Sequence, residues 1–295
     1  MKQKNISFND FLAAEVAKYK GVYVPVKTGF LKRLLVRRVS CRRLHPNPND
    51  EFCMPSVGPN YEIISRYEHE YRIASKRDYM QEYAMEMARD PIVIEKIRPD
   101  GYMIHNGHHR WAAAIRTGRR MLWVQIVNLT REEDVAEAMK KSSHDRRVTL
   151  DLDEVVFQPE ADGKATRSLV SRIRKQQLRL GVPALFRFFN TRGYDIWVYT
   201  ARYASVDDIE RVLSRHHVKV CGIVTGAQRK TVSPADRERM EKLVANKYPV
   251  TVHIDRDTVL RVAGRTKAYE EFPLSGNDAD WSRQIMEIVE GWDKR

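Results

Sequence analysis

The sequence predicts an α/β chain of two domains: a small mixed α/β domain, then a larger one built on a parallel sheet. Three observations carry that expectation. At 295 residues the chain is long enough for two separate cores. From residue 147 onward, short apolar runs alternate with helical stretches, the pattern of a parallel sheet covered on both faces. Between residues 91 and 118, two apolar runs flank a Pro/Gly turn and lead straight into a helix, a compact unit of a different kind.

Composition bounds the rest. Hydrophobic residues make up 42% and charged residues 31%, which is the balance of a folded, soluble chain. No apolar run approaches the ~20 residues that span a bilayer, and the N-terminus lacks an apolar signal core, so the cytoplasm is the expected location. Cys41, Cys53 and Cys221 form no C-x-x-C pair, which suits a reducing compartment. Net charge is +13, with a pI near 9.6. Lys32, Arg33, Arg37, Arg38, Arg42 and Arg43 form one dense basic segment. Such a charge favours anionic partners, and by itself it does not separate a nucleotide pocket from a nucleic-acid surface.

In the first half, residues 7–18 read as an amphipathic helix capped by Ser7 or Asn9. Residues 22–26 and 34–40 are strand candidates, and 44–55 a polar loop with prolines. Residues 60–89 read as one or two surface helices. Residues 91–97 and 102–105 form a hairpin over the turn 98–101. The box Asn106-Gly107-His108-His109-Arg110-Trp111 then opens a helix that Gly118 ends. Asn106 can cap it, and Gly107 allows close backbone approach. A strand-to-helix junction presents free N–H groups and the positive dipole end. Two imidazoles and a guanidinium there make a seat for phosphate.

This box, with the strand at 121–127 and the loop at 44–48, resembles the ParB/sulfiredoxin superfamily, and most of all its free-serine kinases. The resemblance covers about residues 35–130. It implies a nucleotide, ATP or ADP, held by Asn106, Gly107, His108, His109 and Arg110. It also implies that Glu51, with Asp50 as second candidate, would deprotonate an acceptor hydroxyl. Asn106 stands where the kinases have aspartate. His108 stands where sulfiredoxins have cysteine, which argues against thiol chemistry.

In the second half, residues 128–143 are helical, with Glu132, Glu133 and Asp134 in the first turn. A polar linker follows, which places the domains at 1–145 and 146–295. Strands are expected at 147–152, 195–200, 218–224 and 248–255, and helices at 183–190, 207–215, 237–245 and 281–292. A charged insert occupies 158–178. The first strand ends in Asp151 and Asp153, two acids with no basic neighbour in sequence. That is costly unless a cation or a proton sits between them. Ligands bind beyond the carboxyl ends of such strands. The other strand ends there carry Thr200, and Asp255 with Asp257.

The set resembles the haloacid dehalogenase (HAD) superfamily over about residues 146–275, which implies a Rossmann-like domain with a minimal cap. It further implies that Asp151 attacks phosphorus, Asp153 acts as acid then base, Thr200 holds phosphoryl oxygens, and Lys230 offsets charge, with Lys242 and Lys247 as rivals. Mg²⁺ would be held by Asp151, the main-chain carbonyl of Asp153, and Asp255. A short insert implies an open site suited to bulky substrates, polynucleotide ends and phosphoproteins among them.

The leading expectation is therefore a bifunctional phosphotransfer protein: a Mg²⁺-dependent phosphatase domain joined to a nucleotide-binding domain with possible kinase activity. Its substrate would be a phosphorylated small molecule or nucleotide. The alternative is a nucleic-acid-binding or -processing protein with a ParB-like binder or nuclease half. No helix-turn-helix pattern follows the box. A third option is a non-catalytic nucleotide sensor.

Overall fold

The computed structural model describes residues 7–74, 81, 91–158, 176–226, 234–264, 266–275 and 280–293. Along the main chain it divides into two compact units, one ending at Asn128 and the next beginning at Leu129.

Unit 1 opens with α1 (Phe8–Tyr19), whose first turn is capped by the Ser7 hydroxyl accepting from the Asp10 N–H. Its sheet is mixed. The strands are β1 (Val24–Pro25), β2 (Arg37–Ser40), β3 (Leu44–Pro46), β4 (Ile92–Arg98), β5 (Tyr102–Asn106) and β6 (Met121–Ile126), and they run in the order β2-β6-β4-β5-β3 with β1 paired to β4. β4 and β5 form the expected antiparallel hairpin, whereas β6 lies parallel to β4 and β3 parallel to β5. A short helix, α2 (Phe30–Arg33), was not foreseen; it ends just before the strand expected from residue 34, which begins only at Arg37.

Helix α4 (His108–Arg116) lies on this sheet and against α3 (Tyr61–Ala74). Its residues Ala112, Ala113 and Ala114 are fully buried, so the helix backbone sits close to the strands. Trp111 is also buried; at ~200 Å² of ring surface and ~25 cal/mol/Å², it contributes roughly 5 kcal/mol of burial. Gly118, at φ +70°, ends the turn as expected.

Unit 2 has a second mixed sheet. Its strands are β7 (Arg146–Asp151), β8 (Tyr194–Thr200), β9 (Gly222–Thr225), β10 (Val250–Ile254), β11 (Thr258–Ala263) and β12 (Tyr269–Pro273), in the order β12-β11-β10-β7-β8-β9. The four strands β10, β7, β8 and β9 are parallel, as the alternation predicts. The antiparallel edge β11–β12 was missed: β11 carries Val259, Leu260 and Val262 but buries only Val259, and β12 is mostly exposed. The strand expected at 218–224 begins only at Gly222.

The helices of unit 2 are α5 (Glu132–Lys141), α6 (Val182–Thr191), α7 (Val206–Arg215), α8 (Pro234–Lys247) and α9 (Trp281–Asp293). One sheet face, with Val148, Leu150, Ile196, Val198 and Val252, packs on α6, α7 and α9. The other carries Trp197, with Tyr248 beside it, under Val135 and Met139 of α5. That packing places α5 in unit 2, so the compact units divide earlier in the chain than the linker expected near residue 145. Most of the charged insert, 159–175, lies outside the described residues, and Phe157 and Leu178 pair where its ends meet.

At the amino end of β8, Asp195 is buried, yet its carboxylate accepts from Tyr248 Oη (2.7 Å), the His144 ring (3.0 Å) and the Ser142 hydroxyl. Burial pushes its pKa up, but these donors outweigh that and hold it below the usual carboxylate value.

Candidate functional site

The acids of unit 2 gather at the opposite, carboxyl ends of the strands. Leu150 pairs with Ile254 on the neighbouring parallel strand, so the next residues, Asp151 and Asp255, stand side by side at the rim. Adjacent strands lie about 4.8 Å apart, which sets the scale of their separation. On the other side of β7, Asp151 pairs with Tyr199, and Thr200 follows it. The register thus brings three of the expected residues to one rim.

Their local geometry is specific. After Asp151 the chain makes one wide turn, Leu152–Val156, closed by a bond from Phe157 N–H to Leu152 O. Asp151 Oδ1 accepts from the N–H groups of Asp153 (2.7 Å) and Glu154 (2.8 Å), which fixes the carboxylate and leaves its other oxygen outside these bonds. Burial raises the Asp151 pKa, opposed by those two N–H bonds and helped by the Asp153 and Glu154 charges. The phenol of Tyr199 is raised too, first by burial and then by Asp255, Asp151 and Glu154, so one anionic field covers the rim. Thr200 Oγ1 donates to Asp153 Oδ2 at 2.5 Å. Asp255 is exposed and sits at the tip of the β10–β11 turn, and Asp257 two residues on lies in the same turn.

One residue was missed from sequence. Arg202 places Nε 3.3 Å from Asp153 Oδ1, donates its main-chain N–H to Thr200 Oγ1, and accepts from the Gly226 N–H. Its trace in the sequence is slight: a guanidinium two residues beyond a strand-end threonine. Lys230 lies outside the described residues. Among the described residues, no three His, Cys, Asp or Glu side chains gather as a metal cluster. The donor set expected for Mg²⁺ is different, two side-chain carboxylates and a main-chain carbonyl, and these are hard oxygens of the kind the ion takes.

In unit 1 the box is built otherwise. Gly107, not Asn106, is the residue before α4; it takes φ +102° with no side-chain cap, and Asn106 ends β5 exposed. A Cβ at Gly107 would meet Ile92 Cγ1 at 2.8 Å. His108 is buried. Its Nε2 accepts from the Asn47 N–H (3.2 Å), which puts the ring proton on Nδ1, 3.6 Å from Asp50. The ring stacks on Phe52 at 5.5 Å. Burial, first of all, lowers its pKa, against the pull of Asp50. His109 Nε2 accepts from the Asn60 N–H (3.2 Å) and meets the edge of Phe52. Its pKa is also lowered by burial.

Both imidazoles are therefore neutral braces that pin loop 47–60 to α4. What the junction offers an anion is the helix start and Arg110, which is buried with its guanidinium near Gly107. Asp50 caps the turn Glu51–Cys53 by accepting from the Phe52 N–H, and Glu51 is exposed beside it. Cys41, Cys53 and Cys221 are all free thiols.

Two mixed α/β sheets, each with polar groups at strand ends, thus define the chain. Residues 79–143 match the ParB N-terminal domain family, a stretch that takes in β4, β5, the box, α4, β6 and α5. No curated protein matches the chain in sequence. Among the described residues, no helix is long and apolar enough to cross a membrane.

Proposed function

We propose that the chain processes nucleic acid: unit 2 removes phosphate from a phosphomonoester end, and unit 1 supplies affinity for nucleotide or nucleic acid. One observation carries the catalytic half, the register that sets Asp151 beside Asp255 with Thr200 on the next strand. The resemblance of these residues to the HAD superfamily supports the same reading. The fixed Asp151 carboxylate attacks phosphorus through its other oxygen, the ester oxygen departs, and an aspartyl-phosphate remains. Asp153 gives its proton to the departing oxygen and then takes one from the water that hydrolyses the acyl phosphate. Thr200 and Arg202 hold the phosphoryl oxygens, and Lys230 adds positive charge. Asp151, Asp255 and the Asp153 carbonyl would hold Mg²⁺, which supplies the charge neutralisation these crowded acids need.

The test is Asp151→Asn with 5′- and 3′-phosphorylated oligonucleotides, phosphoserine and nucleotides, in Mg²⁺. The expected result is loss of phosphate release by about a thousandfold or more, with oligonucleotide binding unchanged. Equal turnover in the variant would remove the assignment.

The ParB N-terminal domain match favours a second reading, in which binding nucleic acid is the whole activity. It predicts strongly salt-dependent binding and no phosphate release from any substrate in that panel. Kinase activity in unit 1 draws support only from the helix-start seat and from exposed Glu51. Phosphate transfer from ATP to serine would test it.

A further inference from the structure

A groove of about 870 Å³ opens in unit 1 from Trp111 toward the carboxyl end of α4, and its lining includes none of the residues 106–110. Its lining includes Phe11 and Trp111, whose rings stack at 6.1 Å and 27°, and the arginines Arg42, Arg119 and Arg120. Trp111 is buried and Phe11 half-buried, so Phe11 is the ring a ligand would meet. The acid in the lining, Glu15, is bound to the His45 ring at 3.0 Å. Among the described residues no ion pair engages Arg42 or Arg120, and both are exposed. Arg119 is lowered in pKa by burial first and also by the nearby charge of Arg38, a sign of crowded positive groups. The basic line continues out of the groove along β2, the edge strand of the sheet, through Arg37 and Arg38.

We propose that this groove binds single-stranded nucleic acid, with phosphates on Arg42 and Arg120 and an unstacked base against Phe11. Three arginines against one engaged glutamate give the charge complementarity, and the basic line along β2 fits a polymer better than a lone nucleotide. An aromatic ring inside a cationic groove is the arrangement that holds single strands without sequence preference. A duplex keeps its bases stacked and has no use for the aromatic wall. The inference rests on the nucleic-acid reading above and gives it a surface distinct from the box.

The test measures binding of a fluorescein-labelled oligo(dT) of about 20 nucleotides by anisotropy, across about 50–200 mM salt, with the full chain. Arg42→Ala/Arg120→Ala should weaken binding at least tenfold at low salt. It should also flatten the slope of log K against log salt by about 1.4, two phosphate contacts' worth. Phosphate release from a small phosphomonoester should not change, and Phe11→Leu should weaken binding while leaving the salt slope alone. If wild type binds and the double variant binds equally, the groove is overturned while the nucleic-acid reading stands. If wild type fails to bind at ~50 mM salt, both fall. Tighter binding to duplex of the same length, or equal displacement by polyglutamate, would also overturn the single-strand assignment.

Discussion

At the β5–α4 junction the two imidazoles accept main-chain N–H groups from Asn47 and Asn60, so their lone pairs serve the loop. At the carboxyl end of β7 the carboxylates are held only in part, and they stand close to one another. Asp151 is anchored through one oxygen, Asp153 meets Thr200 and Arg202, and Asp255 stands next in register. The buried Asp195 at the other end of the same sheet shows what a settled carboxylate looks like, ringed by hydroxyl and ring donors. The difference teaches that a polar motif at a strand end has two physical fates. Where neighbours satisfy it, it braces the fold; where like charges are left together, it calls for a cation or a substrate.

The largest effect that would sharpen this contrast belongs to the rim. Asp153→Asn keeps the size and the bond from Thr200 but removes the proton donor, and turnover on a phosphomonoester should fall about 10²–10⁴-fold. The thermal midpoint should move little. An unchanged rate would mean that Asp153 braces the rim as the histidines brace the box, and the comparison would fail.

Next in size is the converse experiment. His108→Ala strips the acceptor from the buried Asn47 N–H, a loss of about 1–3 kcal/mol, and removes the ring stacked on Phe52. Together these should cost unit 1 about 3 kcal/mol, read by denaturant unfolding, with phosphate release by unit 2 unaltered. Full stability with lost nucleotide affinity would instead restore His108 as a phosphate ligand.

Much of the architecture was legible. Alternating apolar runs gave β7, β8 and β10 and the helices between them, because buried parallel strands need continuous apolar text. Asp151, Thr200 and Asp255 could be placed at one rim because each ends such a strand. Strand β12 was hard to read because Tyr269-Glu270-Glu271 is exposed and only Phe272 packs on the core, whereas the apolar residues of β11 were overlooked. The bracing role of the histidines was illegible for a different reason. Chemistry can be read from residue type, but whether a lone pair is already taken depends on Asn47 and Asn60, tens of residues away in sequence. Arg202 was overlooked because only the turn after β8 brings its guanidinium back to Asp153.

The smallest effect is in acid, and it separates the units again. His108 in unit 1 and His253 in unit 2 are both neutral inside the fold, each lowered to about 4 by burial before any neighbour's charge. An unfolded imidazole titrates near 6.5. Above that pH both states are neutral and the histidines add no pH dependence. Between 6.5 and about 4 only the unfolded chain takes up the proton, so stability falls with pH, by about 1 kcal/mol per imidazole at pH 5.5. Among the described residues, unit 2 carries His253 as an imidazole lowered in this way. Unit 1 carries His45, His108 and His109, all lowered by burial first. Peptide-resolved hydrogen exchange at pH 7 and 5.5, corrected for the intrinsic rate, should therefore show strands β4 and β5 losing more protection than β7 and β10. His253→Gln should remove unit 2's share of the loss and leave unit 1's intact. Equal protection of β4 at both pH values would show that His108 accepts its proton without cost, and that the brace is no brace.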